Sequence, residues 1–255
     1  MSTRVLVNTR LTVACQELAR QQLRLPADAT LDLSGLRTAL TAAQRIDLAA
    51  IGQLVSSAPV RMTLGALAPT AFGTVSQLLA RQQPGADPQT SATSARTALG
   101  TALSAASAAI GAATRDITAQ AFTAAGQELG YTVSTCRGDV ATGIELRRDH
   151  EVVLMRVDDD GAVESDHAGL AGSACGDRQR ELEEAAARRG VVITHRDEQH
   201  HSSAGGGDLI RTAASRRDPS LARAVALIAR PAVASGARRA WTAEPEQRRP
   251  TRRAR

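Results

Sequence analysis

Lysine is absent from this 255-residue chain: all 31 basic residues are arginine. With so much alanine and glycine beside it, that usage reads as the codon bias of a GC-rich bacterial genome. The arginines are therefore poor evidence for guanidinium-specific recognition. Aromatic residues are equally scarce, at 2% of the chain: Phe72, Phe122, Tyr131 and Trp241. Aromatic side chains dominate the energetics of most cores. Here Ala, Leu, Val and Ile must take that place, which predicts thin, alanine-rich helix contacts. The three cysteines, Cys15, Cys136 and Cys175, are too few and too widely spaced for a disulfide framework or a zinc site. No secretory signal core is present near the start, because Arg4 and Arg10 interrupt it, and a cytoplasmic location is the default expectation. One uncharged run that could be mistaken for a membrane span, eighteen residues between Arg96 and Arg115, is mostly Ala, Ser, Thr and Gly. A spanning helix needs about twenty predominantly apolar residues, so no membrane span is expected.

What charge there is lies unevenly. From Arg211 onward twelve arginines face Asp218, Glu244 and Glu246, a net of +9. The formal charge of the whole chain is +5, which leaves −4 for residues 1–210. This is a basic arm on a mildly acidic body.

Along the chain, Val5 to Val7 reads as a short strand running into a helix that Pro26 stops. Ser34 caps an amphipathic helix to about Ser56, with Leu36, Leu40, Leu48, Ile51 and Val55 on one face. Pro59 to Leu67 fits either a strand or a connector. Pro69 restarts a helix ending near Arg81, and residues 82–94, rich in Pro, Gly, Ser, Thr and Gln, read as a linker. A long helix over 95–129 follows. Its stripe of Leu99, Leu103, Ala106, Ile110, Ala113, Ile117 and Ala121 predicts antiparallel packing on the Ser34–Ser56 helix rather than a dimeric rod. Gly130 ends it. Alternating segments at 131–136, 140–147, 151–157 and 162–166 then predict an antiparallel meander, with turns at Gly138-Asp139, Asp149-His150 and Asp158–Gly161. A helix at 177–189 and a last strand at 191–194 complete the module.

The expected fold is α+β: N-terminal helices in a hairpin or bundle, then an antiparallel sheet of about four to five strands with helices on one face. The organisation expected is a mainly helical region over 1–81, the linker 82–94, and a long helix plus central module over 95–196. A hinge and short helix over 197–230 and a disordered basic tail over 231–255 follow.

The residues able to carry chemistry gather between the fourth strand and the last helix. Cys175 falls at a helix N-terminus, where the dipole lowers a thiol pKa, with His167 as candidate base and Asp166 as orienter. Set against this, strand neighbours point to opposite faces. Cys175, Gln179, Leu182 and Ala186 also fit the buried stripe of a helix. The five histidines and the Asp158–Asp160 run show no diagnostic metal spacing, and no calcium-loop glutamate occurs because position 169 is Gly169. No metal or other cofactor is expected.

The string Asp166 to Leu170, followed by Cys175, Gln179, Leu182 and Glu183, resembles small bacterial proteins that accompany AAA-type ATPases and von Willebrand-type domains. The resemblance covers residues 122–196. It implies a partner-dependent role, with a component of such an ATPase system as the partner and Asp166, Gly169, Cys175 and Gln179 as the interacting residues. The leading expectation is thus a non-enzymatic accessory or protein-interaction protein. The alternatives are a thiol-dependent hydrolase or transferase using Cys175 with His167 and Asp166, and nucleic-acid binding through the arginine-rich tail.

Overall fold

A computed structural model describes residues 2–11, 13–42, 47–80, 87–139, 141–170 and 173–201. The expected hinge at Gly205–Gly207, the short helix carrying Leu221 to Ile228 and the basic tail lie outside the described residues, as do residues 82–86 of the expected linker.

The chain opens with β1 (Ser2–Leu11) and α1 (Val13–Gln22), then α2 (Ser34–Ala42), α3 (Leu48–Leu54), α4 (Ala58–Leu67) and α5 (Pro69–Ala80). The long helix α6 (Pro88–Glu128) leads into a meander of β2 (Thr132–Arg137), β3 (Ala141–Arg148), β4 (Glu151–Asp158) and β5 (Ala162–Ala168). α7 (Ala174–Ala187) and β6 (Val191–His201) finish the described fold. All pairings are antiparallel, in the order β2-β3-β4-β5-β1-β6. The class is α+β as expected, with β1 filling the slot between β5 and β6 that the α7 crossover leaves open.

The ambiguous stretch 59–67 is helical. Pro59 sits in the first turn of α4, where its missing N–H costs nothing. Residues 88–94 belong to α6 rather than to a linker. Asp87 caps that helix by accepting from the backbone N–H of Gln89 and Thr90, both at 3.2 Å, and Pro88 fits the first helical position. Local capping chemistry outweighed a composition that is polar throughout. At the other end of the module, β6 runs on through the polar residues to His201, because β1 offers it a partner as far as Ser2, across one register shift at Asn8/Thr9.

Among the described residues there are two apolar cores, and α6 enters both. Its first half (Ala95, Leu99, Ala102, Leu103 and Ala106) packs with Ile51, Leu64 and Val75 from the small helices. The broadest contact there is with α5, not with the Ser34–Ser56 segment alone. Its second half (Ala113, Ile117, Ala121, Phe122 and Ala125) lies on one face of the sheet, against Ile144, Leu146, Val153 and Met155, with Leu182 and Ala186 of α7 beside it. At 41 residues, and a rise of about 1.5 Å each, α6 reaches across both. By length and composition it is also the one described helix able to cross a membrane, at a mean hydropathy of 1.2 over the best window. Sixteen of its residues are nevertheless buried within the protein.

Glycines set how closely α6 approaches the sheet. A Cβ built on Gly126 would stand 2.7 Å from Leu146 Cδ2 and 3.3 Å from its Cδ1, inside the core. At Gly100 the nearest atom would be 4.0 Å away. Gly126→Val is therefore expected to destabilise the protein by about 2 kcal/mol through overpacking. Gly100→Ala should stabilise it by about 0.5–1 kcal/mol through helix propensity. Urea unfolding midpoints at equal m-value check both signs.

Candidate functional site

β5 divides the residues that the sequence places side by side. Its register sets Ser165 opposite Met155 and His167 opposite Val153, on the face covered by α6 and α7. Glu164 and Asp166 alternate to the far face, opposite Arg156 and Leu154. The expected catalytic set of Cys175, His167 and Asp166 is thereby corrected: Asp166 lies across the sheet from the His167 ring and cannot orient it.

On the helix side the residues form a buried polar chain. Gln179 Oε1 accepts from the Ser165 hydroxyl at 3.0 Å and lies 2.7 Å from His167 Nε2. Gln179 Nε2 donates to Glu183 Oε1 at 2.8 Å, and Glu183 stands 3.8 Å from Arg196 Nε. The carboxylate fixes the amide orientation, since only the NH2 group can donate to it. The amide oxygen then faces His167, which must carry its proton on Nε2. Ser165, His167 and Gln179 are all fully buried. Such a chain holds α7 on β5 in one register, because each unmade bond would strand a desolvated group.

Cys175 enters α7 in its first turn, since that helix begins at Ala174 rather than at Asp177. With Gln179, Leu182 and Ala186 it forms the helix's buried stripe, each fully buried. No disulfide involves any of the three cysteines. Gly169 has a conformational task. Its φ is +80°, and a Cβ there would stand 1.9 Å from the His150 carbonyl oxygen. It lets the chain leave β5 directly against the β3–β4 turn.

That turn carries a second node. Glu151 accepts from the Tyr131 hydroxyl at 2.7 Å, from Arg148 at 2.9 Å and from Arg178 of α7 at 3.3 Å. Arg148 also donates to the Leu129 carbonyl at the end of α6, at 2.8 Å, and stacks 4.6 Å from the Tyr131 ring centroid. Burial pushes the Glu151 carboxyl up, but the Tyr131 hydroxyl and the two guanidiniums outweigh it and hold it below the usual carboxylate range. Burial, with Glu151 alongside, pushes the Tyr131 phenol up.

Two features went unread in the sequence. The far face of the sheet buries Glu145, Arg156, Glu164 and Asp166. Arg156 opposes Glu164 on one side and Gly143, which leaves it room, on the other. Its Nε also reaches Asp158 at 2.7 Å. The signal was present: charges at every second position on three consecutive strands. The other feature is a groove of about 390 Å³ between α6 and β2, bordered by Gln120, Thr123, Gln127, Thr135, Arg137 and Thr142. At its floor Asp116 accepts from Arg137 at 2.6 Å and from Gln22 at 3.2 Å. Arg115 beside it reaches the Asp139 carbonyl at 2.7 Å and Asp159 at 2.8 Å. Asp158–Asp160 form the β4–β5 turn, and burial pushes the carboxyls of Asp158 and Asp159 up. Among the described residues no group of three or more His, Cys, Asp or Glu side chains is placed to hold a metal ion.

Comparison with protein-family models, curated proteins and solved structures finds no match to this chain.

Thiol alkylation tests the placement of the cysteines. Cys136, half-buried on β2, should react within minutes, and Cys15 and Cys175 only after denaturation. Fast native labelling of Cys175 would restore it as a nucleophile. Gly169→Ala should cost at least about 3 kcal/mol, because strain and a backbone collision act together. Thermal unfolding measures it. Tyr131→Phe should cost about 2 kcal/mol at pH 7, the range for a hydrogen bond to a charged group. A carboxylate held below its ordinary range stabilises the fold above its unfolded pKa and loses that contribution as pH falls through the folded one. The gap between wild type and Tyr131→Phe should therefore narrow below about pH 4. Urea midpoints across pH 3–7 check the trend.

Proposed function

We propose that this chain is a non-enzymatic, cytoplasmic interaction protein that presents a rigid α+β scaffold to a protein partner. The observation that carries this reading is the alternation along β5. His167 and Asp166 face opposite sides of the sheet, and Cys175 is spent in the α7 packing stripe. The polar side chains of the loop thus serve to fix α7 and the β3–β4 turn. Of the residues that the resemblance nominates for partner contact, Gly169 is exposed, whereas Asp166, Cys175 and Gln179 are buried. Their contribution would be to shape, with contact made by the surface around them. The resemblance to ATPase-associated accessory proteins makes a component of such a system the first partner to seek.

Affinity purification of the full-length chain from its own cells, with light scattering of the recovered complex, tests the reading. A defined stoichiometric partner is expected, and loss of that partner with Gly126→Val, which loosens the scaffold. A chain that remains monomeric and recovers nothing defined overturns it.

The net +9 after Arg211 favours a second reading, phosphate contact through the tail. Removing the residues after Pro231 should then abolish binding to a DNA duplex, and binding by the full chain should fall steeply between 50 and 200 mM salt. Binding unchanged by the deletion rejects it.

A further inference from the structure

The far face of the sheet is buried as a band. Two cross-strand rows, Gly143–Arg156–Glu164 and Glu145–Leu154–Asp166, run side by side over β3, β4 and β5. Their side chains are 5% exposed or less, and Leu154 and Asp166 are wholly buried. The next row on one side, Arg147–Val152–Ala168, is exposed on β3 and half-buried on β4 and β5. On the other side Ala141 is buried, but Asp158 and Ala162 are half-buried. An open face of an antiparallel sheet is solvated, and a wholly buried leucine needs neighbours all round. The band is thus the footprint of one element that crosses the strands.

The described helices pack elsewhere. α1, α6 and α7 bring Ala19, Phe122 and Leu182 to the core on the other face, with Ile144, Val153 and Met155. α2 to α5 gather in a separate core around the first half of α6. The burial arises within one chain. Outside the described residues, only 202–255 form a run longer than six. Where that run begins also fits. β6 ends at His201, two residues past the pairing of Gln199 with Arg4, and Arg4 pairs in turn with Asp166. The chain therefore leaves the outermost strand beside the Glu145–Leu154–Asp166 row. From β6 across β1, β5 and β4 to β3 is four strand spacings, about 19 Å in all. A helix from Pro219 to Arg230 has twelve residues and a length of about 18 Å.

Composition selects the same segment. Leu221, Val225 and Ile228 step by four and three along one helical face, and Gly205–Gly207 allows the chain to turn back. Residues 208–230 hold five arginines against Asp208 and Asp218, a net of +3. The band holds Glu145, Glu164 and Asp166 against Arg156, a net of −2, and Arg147 and Asp158 at its margin cancel. After Pro231 only Val233 and Trp241 are strongly apolar, too few to cover it. We infer that residues 208–230 lie across the far face of the sheet as a third layer. The apolar stripe covers Leu154, and the arginines of the segment offset the carboxylates around it. The layer runs from β6 toward β3, so the basic tail after Pro231 leaves the body on the β3 side rather than at β6. Such an anchored tail goes beyond the interaction reading and does not depend on it.

Hydroxyl-radical footprinting of the full-length chain, with amide hydrogen exchange beside it, tests the layer. Leu154 and Met155 are neighbours in sequence on opposite faces of β4, so Met155 serves as the internal control. In the unaltered chain both should resist oxidation, and the amides of 221–230 should exchange at least about a hundredfold slower than in an unstructured chain. Val225→Asp combined with Ile228→Asp should abolish that protection and raise Leu154 oxidation at least about fivefold while Met155 stays unreactive. Removing the residues after Pro231 should change neither readout. Should the double variant unfold outright, with Met155 oxidised as well, the packing is still supported, because two charges in a free tail cannot unfold the body. Free exchange through 221–230, oxidation of Leu154 in the unaltered chain, or Leu154 equally resistant in a folded double variant overturns the inference. So does protection of Leu154 that disappears on dilution together with a dimer in sedimentation, which would give the face to a second copy.

Discussion

The close seating of α6 is the constraint on which the rest of the structure depends. One helix supplies a wall to the core of small helices and a wall to the core under the sheet. A helix can do this with so few aromatic neighbours only if its backbone comes close. Alanine and glycine along its seam make that possible, and Gly126 against Leu146 is the tightest point. The arrangement also explains why aromatic residues are dispensable here. Volume that a large ring would fill is removed by bringing the backbones together, and Phe122 alone remains as a buried ring on α6.

Close packing of this kind is weakly directional, because alanine surfaces slide. Registration must come from elsewhere, and polar contacts at several points along the helix provide it. Midway along α6, Arg115 and Asp116 tie the helix to the β2–β3 and β4–β5 turns. At its C-terminus Arg148 takes the Leu129 carbonyl and joins it to the Glu151 node, which Arg178 extends to α7. The Ser165–Gln179–His167 contacts then fix α7 on β5. Ser165, His167 and Gln179 are fully buried, and Arg115 and Asp116 nearly so, so a slip of either helix would leave desolvated donors and acceptors unpaired. The polar residues that first suggest chemistry are those that specify this single packing.

Much of this was legible in the chain. Period-two alternation located β2 to β5 and their turns, because antiparallel strands joined by tight turns are determined by local signals. The buried α7 stripe of Cys175, Gln179, Leu182 and Ala186 was equally readable. Non-local pairing was harder. The length of β1 and β6 follows from their contact with each other, and nothing within Asp197 to His201 announces a strand. The α6 start at Pro88 was hidden by composition, although Asp87-Pro88 is a capping pair that a residue-by-residue reading favours. The buried far face was missed for a different reason. Alternating charges on strands are ordinarily read as the solvated side of a sheet, and only the register that sets Arg156 opposite Glu164 on the neighbouring strand brings opposite charges together there.

The same alternation decides what the central loop is for. A catalytic set drawn from Asp166, His167 and Cys175 requires one face, and an extended strand gives two. Once β5 is a strand, His167 belongs with α7 and Asp166 with the far-face charges, whatever their proximity in sequence. The features that remain unspent by packing lie at the opposite side of the sheet. There β2 pairs with β3 on one side and with no described strand on the other. The scaffold built by α6 thus directs attention away from the histidine and cysteine.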